Sequence, residues 1–211
     1  DGSCTSSSTD VSLLLETVAT HDAGSLAGYT TYRLYAQLSH PNDRIDAVYG
    51  SLLLPLSVEQ GSGLMWQHPT MGASVMHVPE ALLATDATIA YDSYVALGQG
   101  HEVAGAAVDL LASPENPWST FFEFGLPIAI DDVTGGGWYV LDNGDTTSTA
   151  GEDLKVLLGQ FTAQGGLSGT LNLQVEGCGS VGTFAAEGLT FTSDAESVSY
   201  THLRAHETVA N

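Results

Sequence analysis

The sequence predicts an all-β fold, an antiparallel β-sandwich of the jelly-roll or Ig-like kind with one or two short helices. Three observations lead there. Apolar and polar residues alternate with period two in several stretches. Gly, Asp, Asn and Pro clusters separate those stretches at regular spacing. Long amphipathic helices do not alternate with the strands, which argues against a parallel α/β sheet. No internal repeat is evident.

The elements follow in order. Residues 1–10 are polar and read as a linker. Leu13, Leu15 and Thr17 alternate with Leu14, Glu16 and Val18, a first strand. In residues 29–38, Tyr32, Leu34, Ala36 and Leu38 face one way, and Thr31, Arg33, Tyr35 and Gln37 the other. His40-Pro41-Asn42-Asp43 is a turn cluster. Ile45, Ala47 and Tyr49 begin the next strand, which runs into Leu52-Leu53-Leu54. Residues 57–80 are irregular, punctuated by Gly61, Gly63, Pro69, Gly72 and Pro79. Pro79 suits a first helical turn, so a short helix runs to Leu83.

Residues 88–97 alternate again, with Ile89, Tyr91, Ser93, Val95 and Leu97 on one side. Residues 101–112 fit a helix through the stripe Val103, Ala107, Leu110 and Leu111. Trp138 to Leu141 is strand-like after three glycines. Leu154 to Phe161 is apolar on both faces and reads as a central strand. Gln164-Gly165-Gly166 turns the chain into the alternating 168–175 stretch, giving a hairpin. Residues 188–193 offer a final strand.

The 211 residues contain 25 Asp+Glu and 4 Lys+Arg, a formal net charge of −21. So few cations cannot neutralise a phosphate backbone, so a nucleic-acid partner is excluded. No apolar run is long enough to span a membrane. The hydrophobic share, 43%, is too high for a disordered acidic tail. Such imbalance repels itself unless ions screen it, over a Debye length of about 8 Å at physiological ionic strength. A saline exterior, with a halophilic surface, is the natural setting.

Residue 1 is Asp, so the reading is expected to start inside a longer protein or after processing. Residues 198–208, Val-Ser-Tyr-Thr-His-Leu-Arg-Ala-His-Glu-Thr, match a translated transposase mosaic-end sequencing adapter residue for residue. Residues 198–211 are therefore expected to be an artefactual tail, and residues 11–197 a single, C-terminally truncated β-sandwich domain. His202 and His206 drop out of any metal argument.

Cys4 sits in a Ser/Thr-rich lead and Cys178 in a Gly-rich turn. In an exported protein they could pair with each other or with segments beyond this chain. Acidic surroundings raise a thiol pKa, which disfavours a catalytic cysteine.

Thr30 to Ala36, Asp46 to Gly50, Ala90 to Val95 and Asp153 to Thr162 together resemble a module common in marine metagenomic proteins. The similarity covers residues 12–176. Those proteins are large, secreted or surface-attached, and often carry several copies. The resemblance implies an extracellular module of a larger protein and assigns no catalytic residue.

The acidic group Asp142, Asn143, Asp145, Glu152 and Asp153 is the leading candidate metal site. Ca²⁺ takes six to eight oxygen ligands, and short Asp/Asn/Gly loops supply them. The order departs from the EF-hand loop, and a type I′ turn at Asn143-Gly144 is the plainer reading. Asp131-Asp132 before three glycines has a weaker claim. His68, His77 and His101 match no zinc spacing and read as loop hydrogen-bonders. Ser74 and Ser180 each lack one glycine of Gly-x-Ser-x-Gly, so no nucleophile elbow is present. Trp66, in an irregular segment beside Gln67-His68, is the candidate ligand-stacking residue.

The expectation is a non-catalytic extracellular or cell-surface module for adhesion, ligand display or spacing, with Ca²⁺ as a possible stabiliser. Its partners would be an unknown surface ligand or glycan and neighbouring modules of the same chain. A carbohydrate-binding module and a secreted hydrolase domain are the alternatives.

Overall fold

The computed structural model describes residues 9–104, 107–141, 147–178 and 181–193. Its architecture is all-β and antiparallel, with two short helices. In chain order the elements are β1 (Ser12–Thr20), β2 (Thr30–Gln37), β3 (Arg44–Gly50), β4 (Leu56–Ser62), α1 (Glu80–Leu83), β5 (Tyr94–Val95), β6 (Asp109–Leu111), α2 (Trp118–Glu123), β7 (Ile128–Ile130), β8 (Gly136–Tyr139), β9 (Lys155–Gly177) and β10 (Gly182–Thr192).

Strand β9 organises the molecule. Its first half pairs with β2 and β5 in one layer, with β1 beyond β2. Its second half pairs with β10 on one side and with β3 and β4 on the other. The expected hairpin at Gln164-Gly165-Gly166 is therefore corrected: the two halves never pair with each other. Gly165 and Gly166 take φ of 70° and 91° inside the strand. These left-handed conformations, cheap only for glycine, turn the strand from one layer into the other. The tight approach of Gly61 fixes that corner, since a Cβ there would lie 1.8 Å from Gly165 O.

The second layer contains a paired interruption. β3 and β4 run one after the other along β9, and β8 and β7 run antiparallel beside them. The intervening turns, 51–55 and 131–135, leave the layer together, joined by Leu52 N–H to Asp132 O at 2.7 Å. Leu52, Leu53 and Val133 stand exposed at their tips. The expected continuation of β3 through Leu54 thus ends at Gly50, and β4 occupies part of the stretch read as irregular.

Alternation places Tyr32, Leu34 and Ala36 of β2, and Leu38 just beyond its end, in the core with Ile45, Val48, Phe161, Leu171, Leu173 and Val175. The other face of β2 carries Thr31, Arg33 and Tyr35. It is not open to water, because residues 86–103 lie over it. The stretch 88–97 was expected as a strand; residues Ala87–Tyr91 form a 3-10 helix and only Tyr94–Val95 pairs with β9. The expected helix at 101–112 is absent too. Residues 101–104 turn, and Asp109–Leu111 is an edge strand on β8, with 105–106 outside the described residues. Weak helical periodicity there lost to strand pairing. The short helix after Pro79 occurs as expected, and α2 was not foreseen.

Candidate functional site

The register of β9 defines two ends of the molecule. Thr30 opposite Ala163 and Ser62 opposite Gln164 mark one end; Gln37 opposite Lys155 and Arg44 opposite Glu176 mark the other. The first end carries the candidate site, built from residues 63–74, 86–93 and 121–126.

Helix α2 supplies its apolar part. Trp118 and Phe122, four apart, point into the core, and Phe122 meets Phe161 edge-on at 6.0 Å. Helical spacing then turns Phe121 and Phe124 outward, and Phe124 is 71% exposed. Gly125, at φ 80°, ends the helix and lets residues 64–65 approach. Met65 N–H donates to Gly125 O at 2.8 Å, and a Cβ on Gly125 would lie 3.0 Å from Leu64 Cβ. Leu126 N–H returns to Phe121 O at 3.2 Å. Exposed Leu64, Phe121, Phe124 and Leu126 are therefore carried on backbone segments that meet at this end, an apolar patch.

Loop 66–73 adjoins it, since Ala73 N–H donates to Glu123 Oε1 at 3.2 Å. A polar network holds the loop. Trp66 N–H donates to Thr162 O, and Ser93 Oγ donates to Trp66 O at 2.7 Å. His68 N–H donates to Asp92 Oδ1 at 2.6 Å. Asp92 is 1% exposed, and this burial pushes its carboxyl up to about 7 against opposing backbone hydrogen bonds. Its Oδ2, Trp66 Nε1 and Gln67 Nε2 are buried without hydrogen-bond partners among the described residues.

The buried His68 ring sits between Thr70 and Asp86. Thr70 N–H and Thr70 Oγ1 reach Nδ1 at 3.3 and 2.9 Å, and Asp86 Oδ2 lies 3.2 Å from Nε2. Because a backbone N–H points at Nδ1, that nitrogen accepts and Nε2 carries the proton toward Asp86. Asp86 Oδ1 accepts from Thr88 N–H and Oγ1, which lowers the Asp86 carboxyl, helped by the His68 bond. A hydroxyl, an imidazole and a carboxylate thus stand in series through hydrogen bonds. The same bonds also brace a turn two residues long.

Trp66, the stacking candidate read from the sequence, belongs to this end and is half-buried; the other two tryptophans, Trp118 and Trp138, are core. Their indole N–H groups donate to Leu111 O and Ala96 O. Glu152 and Asp153 are exposed in the turn before β9; Asp142, Asn143 and Asp145 lie outside the described residues. Asp132 is engaged in its own turn, accepting from Thr134 N–H, Gly135 N–H and Asn116 Nδ2. His101 Nδ1 lies 3.2 Å from Tyr94 OH, away from His68, and His77 is exposed. No cluster of three metal-ligating side chains occurs among the described residues. Cys178 is disulfide-bonded; the other cysteine, Cys4, lies outside the described residues. Among the described residues no helix is long and apolar enough to cross a membrane.

Sequence reasoning missed the patch, because Phe121 and Phe124 declare themselves only once α2 is recognised. A polar cavity of about 250 Å³ at the far end is lined by Asn42, Arg44, Thr149, Glu176, Gly177 and Cys178. Arg44 there is ion-paired with Asp46 and Glu176.

A scan of protein-family models and searches of curated proteins and solved structures found no match. Fold and site define the class alone: a disulfide-bonded, acidic, all-β protein with an apolar end braced by buried polar groups.

Proposed function

We propose that the chain is a non-catalytic module of a larger secreted or cell-surface protein, serving adhesion or ligand display through its apolar end. The exposed patch at Leu64, Phe121, Phe124 and Leu126 carries this reading. Apolar side chains gathered in one place on a soluble surface mark interaction sites more often than scattered ones do. Disulfide-bonded Cys178 suits an oxidising exterior, and a charge of −21 suits a saline one. Ca²⁺ held by Glu152 and Asp153 together with Asp142, Asn143 and Asp145, which lie outside the described residues, is the proposed stabiliser. Calorimetric titration and the melting temperature of chelated protein test it, and an absence of both heat and stabilisation removes it.

A hydrolase is the second reading, favoured by the Thr70–His68–Asp86 series alone. In it, Thr70 Oγ1 adds to the acyl carbon of an ester while His68 Nδ1 takes its proton and Asp86 balances the imidazolium; His68 returns that proton to the departing alcohol, and water then hydrolyses the acyl-enzyme by the same base. A panel of chromogenic esters and glycosides separates the two. The module reading expects no turnover above buffer. Turnover abolished by both Thr70→Val and His68→Ala would reject it in favour of the hydrolase.

A further inference from the structure

We propose that the apolar end takes a protein segment whose apolar face is flanked by Lys and Arg side chains. This rests on the reading of that end as a ligand-binding surface and specifies the chemistry of its partner.

The patch is preorganised. Phe122 and Trp118 anchor α2 in the core, so Phe121 and Phe124 are held outward by helical geometry. Gln60 Nε2 bridges to Gly63 O at 3.0 Å and Gly125 O at 3.4 Å, clamping the two backbone segments that carry Leu64 and Leu126. A partner gains apolar contact there without ordering the receptor first.

Charge selects the partner. The described cations are Arg33, Arg44 and Lys155. Arg44 and Lys155 lie at the far end, and Arg33 sits halfway along β2 opposite Gln160. All are ion-paired, with Glu102, with Asp46 and Glu176, and with Glu16 respectively. At the patch the charged neighbours are carboxylates. Glu123 stands between Phe122 and Phe124, and Asp86 lies across loop 66–73 through His68. A second copy docking by a two-fold axis would bring Glu123 toward its own equivalent, inside a pair carrying −21 each. Anionic lipid or nucleic acid is repelled likewise. An apolar anchor with a cationic rim satisfies both parts of the surface.

The full chain is tested with a synthetic amphipathic Leu/Lys helical peptide. Two controls replace Lys by Glu or Leu by Ser. Binding is read by fluorescence anisotropy for the wild-type chain and for Phe121→Ser/Phe124→Ser. The Leu/Lys peptide binds the wild-type chain, and the double variant weakens it by about tenfold or more at unchanged melting temperature. Both control peptides bind about tenfold more weakly than Leu/Lys. Equal binding by the variant, equal binding of either control, or no binding at all overturns the proposal. So does sedimentation showing a dimer that the double variant dissolves, which assigns the patch to a second copy. Equal binding of the Glu control ends the cationic specificity but leaves the apolar end a binding surface, whereas equal binding by the double variant removes that surface itself, so the two failures are distinguishable.

Discussion

Gly188 donates its backbone N–H to Asn172 Oδ1 at 2.9 Å, and the amide end of the same buried side chain closes the opposite edge of β9. There Asn172 Nδ2 reaches Tyr49 O, Leu54 O and Pro55 O at 3.1, 3.0 and 3.3 Å. One side chain satisfies the bulge in β10 and the excursion between β3 and β4, where neither strand can bond β9 directly.

Asn172→Ala is accordingly expected to cost about 2–3 kcal/mol, because buried backbone groups lose their partners. Asn172→Asp should cost more at pH 8, since a carboxylate faces three carbonyl oxygens, and should recover part of the loss at pH 5. Chemical denaturation of both variants at the two pH values checks this. An Asp variant as stable as wild type at pH 8 would contradict the assignment.

Asp92 predicts a pH dependence. Its carboxyl is pushed to about 7 in the folded chain from an ordinary value of 3.8. Between those values the native state holds a proton that the unfolded state lacks, so stability falls as pH rises through the window. Asp92→Asn keeps an acceptor for His68 N–H and cannot titrate. Its melting temperature should fall less than that of wild type between pH 5 and pH 8. Parallel curves would show that Asp92 is not the group responsible.

Reduction of the Cys178 disulfide should lower stability by about 2–4 kcal/mol. Asp43 buttresses the same corner, accepting from Cys178 N–H at 2.8 Å and from His40 N–H at 2.9 Å. Asp43→Ala should therefore destabilise the reduced and oxidised chains alike. Urea midpoints with and without reductant measure both effects.

Neighbouring phenylalanines of α2 should respond oppositely. Phe122→Ala removes a fully buried ring and should cost about 3–5 kcal/mol. Phe124→Ser changes an exposed one and should stay within about 0.5 kcal/mol. Comparable losses for the two would mean that the patch is packed rather than presented.

Much of the strand content was readable because one-sided burial writes itself as alternation. Thr31, Arg33 and Tyr35 against Tyr32, Leu34 and Ala36 is such a case. The same pattern misled about what covers the polar face. Thr31, Gln160 and Thr162 look like solvent-facing residues, yet Thr31 Oγ1 meets Thr162 Oγ1 at 2.8 Å beneath residues 90–93. Gln160 Nε2 donates to Ala90 O and Asp92 O at 2.9 Å each. Polar residues that pair with buried backbone are indistinguishable in sequence from polar residues that pair with water.

The amino-acid order alone determined the all-β class, the acidic surface and the apolar face of β2, since these follow from composition and from a period-two repeat within one segment. Only the tertiary structure decided that β9 crosses between layers at Gly165-Gly166, that Asn172 bridges two interruptions, and that Leu64 joins Phe121 and Phe124. Each of those depends on which distant segments meet, and contact across a long chain separation leaves no local periodicity to read.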